Sequence, residues 1–343
     1  MNDLESMNAT TNDLLCTSEG SPHTDPGASR PRAAASLSAS DWILRTPAAC
    51  SLWLILAACG GAPGSEQEDV AGSSAALAGA SPGPNGRTPI TTIALGDSNT
   101  YGWYLERGDP AVGTIEGYRY QLDQNMQSVG YDLIYQGQIA DNRRPGYANN
   151  LHEGLPSWSL ANILNGAWGY QPMVVVDYNQ PQALLLMAGT NDIIQATEHK
   201  LDSSATVWDL ENTMRATLDH VKYASSNTIV VVATIFPFVV HTAWPPGIPD
   251  TAGDQNSIVL EFNDWLRNEV AFRASQQKIA LADMYNPADP VNTLNFSDIT
   301  DDGAETWQPN GRLVGIGVHA TVTGYYKCAA VWTRALYDYL ATH

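Results

Sequence analysis

The chain of 343 residues is 44% apolar and 15% charged, as expected for a globular protein that buries a core without help from metals or disulfides. Its 17 basic and 36 acidic residues give a formal net charge of −19 at pH 7, which disfavours nucleic acid as a partner. Its 28 glycines and 20 prolines are too few for a fibrous or wholly disordered protein.

An export signal is predicted in the N-terminal residues 1–59. Residues 1–44 have no hydrophobic periodicity and are interpreted as an extension upstream of that signal. Arg45 precedes an apolar run that ends in Leu-Ala-Ala-Cys at Cys59, and this ending resembles the lipobox of bacterial lipoproteins, in which the cysteine is acylated. The run is too short to span a bilayer, which takes about 20 residues. We therefore expect an exported protein, in the cell envelope or outside the cell, that contacts a membrane only through a lipid on Cys59.

The next region, residues 60–87, is rich in Gly, Ala, Ser and Pro, which is the composition of a flexible linker. A buried core segment is the alternative interpretation of the apolar run, but such a segment would not stand between two stretches without periodicity. The rest of the chain, residues 88–343, is predicted to fold as one domain.

Short apolar runs alternate with helical patterns throughout this domain. The alternation predicts a three-layer α/β sandwich in which helices cover both faces of a central parallel sheet of five strands. In such sheets a ligand binds beyond the carboxyl ends of the strands. The predicted strands are residues 90–95, 131–135, 183–187, 229–235 and 279–282, and the predicted helices are residues 118–129, 207–224, 257–275 and 322–340, the last with Thr323 as its N-cap.

Three polar motifs stand at the predicted ligand-binding edge of the sheet. A Gly-Asp-Ser sequence after the first strand ends at Ser98, whose hydroxyl is suited to act as a nucleophile. Asn191 and Asp192 follow the third strand, and an asparagine amide can donate to a developing oxyanion. His319 precedes the last helix, and a neutral imidazole is the usual acceptor of a serine proton. Each motif alone is ordinary turn chemistry, whereas the three in this order indicate an active site.

With these motifs, residues 88–343 resemble the catalytic domain of the SGNH, or GDSL-type, hydrolases. The sequence Leu-His-Glu-Gly-Leu-Pro-Ser-Trp at residues 151–158 is similar to the His-Glu-Gly-x-x-Gly-Trp segment of acetylxylan-esterase-like members, and Gly-Tyr-Arg at residues 117–119 also fits that branch. The resemblance implies the flavodoxin-like SGNH fold and a serine esterase that works without a metal or cofactor. It also implies an O-acyl ester substrate, above all an O-acetyl group on a carbohydrate such as xylan.

The resemblance also implies a role for individual residues. Ser98 is the nucleophile, and His319 takes its proton and later delivers it to the leaving alcohol. The oxyanion is held by the backbone N–H groups of Ser98 and Ser157 and by the side-chain amide of Asn191. The supporting residues, which are expected to shape turns rather than to react, are Asp97, Asp192, Glu153 and Gly154.

Two positions depart from the family pattern. Ser157 stands where the family usually has glycine, so the donor survives only if serine tolerates the backbone conformation there. Ile316 stands where the family has an aspartate three residues before the histidine. Asp302, in an apparent insertion, is the first candidate for a substitute acid, followed by Asp301 and Asp298. A backbone carbonyl that orients the histidine of a Ser–His dyad is an equal alternative.

Two further functions stay open. One is a lipase or arylesterase of the same fold that acts on short-chain esters. The other is a non-catalytic, carbohydrate-binding lipoprotein that has lost its catalytic acid. The two departures from the family pattern favour this function, whereas the retained Ser, Asn and His argue against it.

Four aromatic side chains and one cysteine have two interpretations each. Trp103, Tyr104, Trp158 and Trp168 either line a sugar platform or are ordinary core aromatics. Cys328 is interpreted as a small buried hydrophobic residue rather than as a reactive thiol. The four cysteines suggest neither a disulfide framework nor a zinc site, and no spacing of Asp, Glu, His and Cys predicts a catalytic metal.

Overall fold

The structure is a computed structural model that describes residues 85–103, 117–140, 147–199, 201–240, 252–299, 304–307 and 313–343. The predicted export signal and all but the last three residues of the predicted linker lie outside the described residues.

The described residues form ten strands, eight α-helices and one short 3₁₀ turn, Phe296–Asp298. The strands are β1 (Thr88–Gly96), β2 (Tyr131–Gln136), β3 (Ile139–Ala140), β4 (Leu151–Gly154), β5 (Ala183–Met187), β6 (Ile229–Ala233), β7 (Val239–Val240), β8 (Ile279–Ala282), β9 (Ala304–Trp307) and β10 (Leu313–Gly317). The helices are α1 (Ser98–Tyr101), α2 (Arg119–Ser128), α3 (Leu160–Asn165), α4 (Pro172–Asn179), α5 (Thr190–Glu198), α6 (Ser203–Ala224), α7 (Ala252–Arg273) and α8 (Val322–Thr342).

The five predicted strands are present, and they pair in parallel in the order β2-β1-β5-β6-β8. This is the flavodoxin-like strand order, so the predicted fold class is confirmed. The sheet is larger than predicted, because β4 pairs in parallel with the last two residues of β1 and β3 pairs antiparallel with β4. A separate antiparallel sheet, β7-β10-β9, was also not predicted.

Each face of the central sheet has its own core, because successive side chains of a strand point to opposite faces. In β5, Leu184 and Leu186 pack on the face that helices α3 to α7 cover. Leu185 and Met187 pack on the other face with residues of α2 and α8. Cys328 of α8 is fully buried in this second core, which agrees with its interpretation as a hydrophobic residue.

The ends of the helices depend on capping side chains that periodicity does not reveal. Helix α6 begins at Ser203, four residues before the predicted start, because the Asp202 carboxylate accepts the N–H groups of Ser204 and Ala205. The N-cap of α8 is Thr321, and the prediction of Thr323 is therefore wrong. No helix within the described ranges is long and apolar enough to cross a bilayer.

Candidate active site

Ser98 lies in a tight turn directly after β1, which pairs with β2, β4 and β5 in the sheet. Asp97 forms the N-cap of the short helix α1, and its carboxylate accepts the backbone N–H of Asn99 at 2.9 Å. A Cβ on Gly96 would lie 2.0 Å from the carbonyl oxygen of Met187, so only glycine permits this close approach to β5. The turn therefore holds the Ser98 hydroxyl at the carboxyl end of β1, where the sequence predicted it.

His319 lies beside Ser98, although 221 positions separate the two residues in the chain. The distance between Nε2 of His319 and Oγ of Ser98 is 2.8 Å, and both side chains are buried. Such a distance allows direct proton transfer between a hydroxyl and an imidazole. The two residues on which the predicted chemistry depends most are thus brought together by the fold.

The segment that carries His319 is held from two sides. On one side, the side-chain amide of Asn99 donates to the carbonyl of Val318 at 3.1 Å. On the other side, Ala320 forms an isolated β-bridge with Ile299, and the N–H of Thr321 donates to the carbonyl of Asp298 at 2.8 Å. These contacts fix the backbone on both sides of the imidazole.

The turn after β4 lies next to the Ser98 turn. Gly154 is in register with Gly96 of β1, and the N–H of Leu155 donates to the carbonyl of Gly96 at 2.8 Å. Ser157 follows in this turn, with an exposed side chain and a φ of 66°. Serine therefore adopts here the left-handed conformation that glycine favours, which answers the question raised by its departure from the family pattern.

Asn191 reaches the same turn from the start of α5. Its side-chain amide donates to the carbonyl of Trp158 at 3.0 Å, and the second N–H of the amide is left for another acceptor. Within the described part of the chain, the backbone N–H groups of Ser98 and Ser157 donate to no other residue. The three predicted oxyanion donors thus lie on adjoining turns at one edge of the sheet, each with hydrogen-bonding capacity to spare.

Asp192 bridges two of these turns. Its carboxylate accepts the backbone N–H of Leu160, at the start of α3, at 2.8 Å. Burial raises the pKa of this carboxyl to about 7, partly offset by the N–H of Leu160, while the charge of Asp97 adds to the increase. The side chain was expected to brace the turn that holds Asn191, and the observed contact ties that turn to the helix that follows Ser157.

The carboxyl of Asp97 is buried close to the imidazole. Burial raises its pKa to about 6, while the N–H of Asn99 and the field of His319 lower it. Its carboxylate caps α1, and a hydrogen bond from the side chain of Thr190 also lowers its pKa.

The His-Glu-Gly segment of β4 makes hydrogen bonds and close contacts to its neighbours. The buried Glu153 carboxylate accepts the N–H of Gln138 at 2.5 Å and the hydroxyl of Tyr170, and burial raises its pKa. Nδ1 of His152 accepts the N–H of Gly154 at 2.9 Å. A Cβ on Gly154 would lie 2.4 Å from the backbone nitrogen of Tyr101, so glycine is required where the two turns meet.

Of the three candidate acids, the structure describes only Asp298. Asp301 and Asp302 lie outside the described residues. The carboxylate of Asp298 binds the ammonium of Lys327 at 2.7 Å and accepts the backbone N–H of Asn295 at 2.9 Å. Asp298 therefore has a structural role next to α8, and the choice between Asp302 and a Ser–His dyad stays a prediction.

The four aromatic candidates divide between core and surface. Trp158 is buried, whereas Trp168 is 79% exposed and Trp103 lies partly at the surface. Tyr104 lies outside the described residues. Among the residues described, no group of three or more His, Cys, Asp or Glu side chains is placed to hold a metal ion.

The residue that sequence reasoning missed is Asn99. It forms the hydrogen bond to Val318 that links the two halves of the site. No local pattern indicates such a bond, because its acceptor is 219 positions away.

The model of the GDSL-like lipase/acylhydrolase family matches residues 94–327 of the chain. A comparison with curated proteins finds no match. Among solved structures, a carbohydrate esterase family 3 protein from Talaromyces cellulolyticus is 18% identical with a TM-score of 0.50, and the match covers 74% of this chain and 99% of that chain.

Two other solved structures are similar over comparable lengths. A family 3 carbohydrate esterase from Clostridium thermocellum is 18% identical with a TM-score of 0.47, covering 74% of this chain and 98% of that chain. An acetylxylan esterase from Geobacillus stearothermophilus is 13% identical with a TM-score of 0.42, covering 71% and 93% of the two chains. At these identities, the likeness to the Talaromyces protein supports the fold alone.

Proposed function

Because the chain belongs to the GDSL-like lipase/acylhydrolase family and is a carboxylic ester hydrolase, we propose that it removes O-acyl groups, above all O-acetyl groups, from carbohydrates. The reaction passes through an ester between the acyl group and Ser98. The observation that carries this proposal is the 2.8 Å distance between Oγ of Ser98 and Nε2 of His319. A second support is the set of three amide donors beside that pair.

In the first half of the reaction, Oγ of Ser98 attacks the carbonyl carbon of the ester while its proton passes to Nε2 of His319. The carbonyl oxygen becomes an oxyanion and accepts hydrogen bonds from the N–H groups of Ser98 and Ser157 and from the amide of Asn191. Each such donor is worth about 3–4 kcal/mol in the transition state. The bond to the sugar oxygen then breaks, and that oxygen takes the proton from His319.

In the second half, a water molecule attacks the carbonyl carbon of the acyl-serine and gives a proton to Nε2 of His319. The same three donors hold the second oxyanion. When this intermediate collapses, the bond to Oγ breaks and Oγ takes the proton back. The carboxylic acid leaves, and the pair of Ser98 and His319 returns to its starting state.

Two features support a carbohydrate ester over a lipid or aryl ester. The segment at residues 151–158 is similar to that of acetylxylan-esterase-like enzymes, and the observed contacts give its glutamate and glycine a structural role. The second feature is an exposed tryptophan that packs against the turn carrying Ser157. Solvent-exposed aromatic faces suit sugar rings better than extended acyl chains.

The test of this function is acetate release from acetylated xylan by the wild type and by Ser98→Ala. The variant should lose at least about 10³-fold in turnover, because no other group replaces the nucleophile. Ser204→Ala, at an exposed serine of α6, is the control that should keep full activity. Unchanged acetate release by a folded Ser98→Ala variant, checked by circular dichroism, would refute the assignment of the nucleophile.

The substrate class is tested by comparing acetylated xylan with aryl esters of increasing acyl length. Acetylated xylan should be the better substrate, and a preference for longer acyl chains would favour a lipase or arylesterase. Covalent labelling of Ser98 by a fluorophosphonate distinguishes an esterase from a carbohydrate-binding protein without activity, which would not react.

We propose Asp302 or a backbone carbonyl as the partner that orients His319. If Asp302 acts, Asp302→Asn should lower kcat by about 10⁴-fold, because the imidazole then adopts the wrong tautomer. If a carbonyl acts, the variant should keep nearly the wild-type rate. Asp301→Asn is the matched neighbour, and a large fall in kcat in that variant alone would assign the acid to Asp301 instead.

We further propose that the protein is exported and anchored through a lipid on Cys59. A lipid chain stabilises membrane attachment by about 0.8 kcal/mol for each buried CH₂ group. When the protein is expressed in bacteria, Cys59→Ala should abolish incorporation of labelled palmitate and move the esterase into the soluble fraction. Equal labelling of the variant and the wild type would contradict the anchor.

A further inference from the structure

Trp168 stands at the tip of a two-residue hairpin. Ala167 and Tyr170 form an isolated antiparallel bridge, with reciprocal backbone hydrogen bonds of 3.0 and 2.9 Å. The two residues between them, Trp168 and Gly169, have φ values of 50° and 82°. Two successive left-handed residues inside such a bridge define a type I′ turn.

Tryptophan is an unfavourable residue for this position. The first central residue of a type I′ turn favours Asn, Asp or Gly, because a bulky side chain with positive φ crowds its own backbone. The indole is also 79% exposed, so its burial does not offset that strain. Because Trp168 is both strained and exposed, we infer that it serves a function other than stabilising the fold.

The exposed indole adjoins the predicted oxyanion turn. The ring of Trp168 meets the buried ring of Trp158 edge-on, with 5.4 Å between the ring centroids and an angle of 72° between the ring planes. Trp158 follows Ser157 directly, and its carbonyl accepts the amide of Asn191. Tyr170 also contacts Trp158 edge-on, with 6.1 Å between the ring centroids. Trp158, Tyr170 and Trp168 thus form an aromatic cluster whose exposed member faces solvent beside the site.

We propose that the exposed indole of Trp168 is a subsite that binds a sugar ring of the polysaccharide next to the acylated unit, an inference that rests on the proposed function. A pyranose ring has one face lined by C–H groups, which pack against the electron-rich face of an indole. The edge-on contact with Trp158 holds the ring of Trp168 in a fixed orientation, so little side-chain entropy is lost when a sugar binds.

The test measures binding of unacetylated xylohexaose to the Ser98→Ala protein by calorimetry, so that turnover plays no part. In that background, Trp168→Asn should raise Kd about tenfold, and Trp168→Tyr should raise it about threefold or less. Trp208→Ala, at a 64% exposed tryptophan of α6 outside the aromatic cluster, should leave Kd unchanged. If xylohexaose does not bind at millimolar concentration, or if Kd is the same with and without the indole, the subsite is refuted.

Thermal unfolding separates binding from a structural role. Asparagine suits a type I′ turn, so Trp168→Asn should unfold at the same temperature as its parent or at a higher one. A clear loss of thermal stability would show that the indole serves to cover Trp158, and would overturn the proposal.

The subsite and the proposed function fail separately. Binding of xylohexaose that depends on Trp168, in a protein whose wild type releases no acetate from acetylated xylan, would refute the proposed deacetylation of carbohydrates and leave a sugar-binding site. If the wild type releases acetate from acetylated xylan but the Kd for xylohexaose does not depend on Trp168, the subsite is refuted and the proposed function stands.

Discussion

Asn99, the residue after Ser98, donates a hydrogen bond from its side-chain amide to the backbone carbonyl of Val318, the residue before His319. The donor and acceptor are 3.1 Å apart, and Asn99 is only 1% exposed. One buried bond therefore joins the two segments that carry the reacting side chains. Proton transfer depends on the distance between those two side chains. We therefore expect activity to depend on this hydrogen bond as well as on Ser98 and His319 themselves.

Asn99→Ala should lower kcat more than it weakens substrate binding. The substitution leaves the buried carbonyl of Val318 without its donor, which costs about 1–3 kcal/mol of stability. It also frees the His319 segment, so kcat should fall about 10- to 100-fold while KM changes little. Steady-state kinetics on an acetyl ester measures both.

A second buried asparagine provides the control for that prediction. Asn263 lies in α7, and its side chain makes two hydrogen bonds to the backbone of Ile235, of 2.8 and 2.9 Å. Asn263→Ala should lose stability with a smaller fall in kcat. Equal falls in kcat for the two variants would show that Asn99 acts through stability alone.

Ser157→Gly should stabilise the protein or leave its stability unchanged. The φ of 66° costs a serine about 1–2 kcal/mol, and glycine gives back about 0.5–1 kcal/mol through its greater freedom in the unfolded chain. The backbone donor is retained, so kcat should not fall. Urea unfolding and kinetics together test this prediction.

The nearby Ser159 provides the contrast, because it has a φ of −76° and caps α3 with its hydroxyl. Ser159→Ala should cost about 1 kcal/mol. If Ser157→Gly is instead less stable than the wild type, the hydroxyl of Ser157 stabilises the folded protein by more than the strained backbone conformation destabilises it.

Asp192→Asn should change how stability depends on pH. Burial raises the pKa of Asp192 to about 7, so the folded protein binds this proton more tightly than the unfolded chain does. The contribution of Asp192 to the free energy of unfolding is therefore greatest below the unfolded pKa of about 3.9, and it is lost as the pH rises to about 7. The asparagine variant has no such group, and its carbonyl oxygen can still accept the N–H of Leu160.

Urea unfolding at several pH values tests this prediction. The stability of Asp192→Asn relative to the wild type should increase from pH 4 to about pH 7 and stay constant above that. Asp202→Asn, which removes a carboxylate at the start of α6, is the control for loss of charge at a helix terminus. A difference between Asp192→Asn and the wild type that does not vary with pH would contradict the raised pKa.

Gly154→Ala should destabilise the protein and impair activity together. The added methyl group would lie 2.4 Å from the backbone nitrogen of Tyr101, so the turns that carry Ser98 and Ser157 would have to separate. Overpacking of this kind costs about 1–3 kcal/mol. Thermal unfolding and kcat should both show the change.

Gly130→Ala is the matched glycine substitution. Gly130 has a φ of 94°, and a Cβ there would meet nothing within 4 Å. This variant should lose about 1 kcal/mol through backbone strain alone and keep its kcat. If Gly154→Ala also kept its kcat, the close contact between the two turns would not matter for catalysis.

Sequence patterns located the central strands well and the smaller ones poorly. The strands at residues 183–187 and 279–282 have the bounds that were predicted. The first lies inside the sheet and is buried along its whole length, as expected for an apolar run covered on both faces, whereas the second is an edge strand whose middle residues are only partly buried. Strand β4 was missed, since it carries a histidine and a glutamate that are buried by hydrogen bonds rather than by hydrophobicity. Strands β7, β9 and β10 were missed because they lie outside the central sheet and pair only with one another.

The chain order of the five parallel strands and of the four longest helices, and the residue types suited to ester hydrolysis, follow from the sequence alone, because periodicity and side-chain chemistry are local properties. Only the tertiary structure decided that the hydroxyl of Ser98 and the imidazole of His319 are 2.8 Å apart, since that distance depends on the packing of segments 221 positions apart. The same holds for Trp158 and Trp168, which are identical in type but 5% and 79% exposed. Burial depends on which distant segments cover a side chain, and no local pattern specifies them.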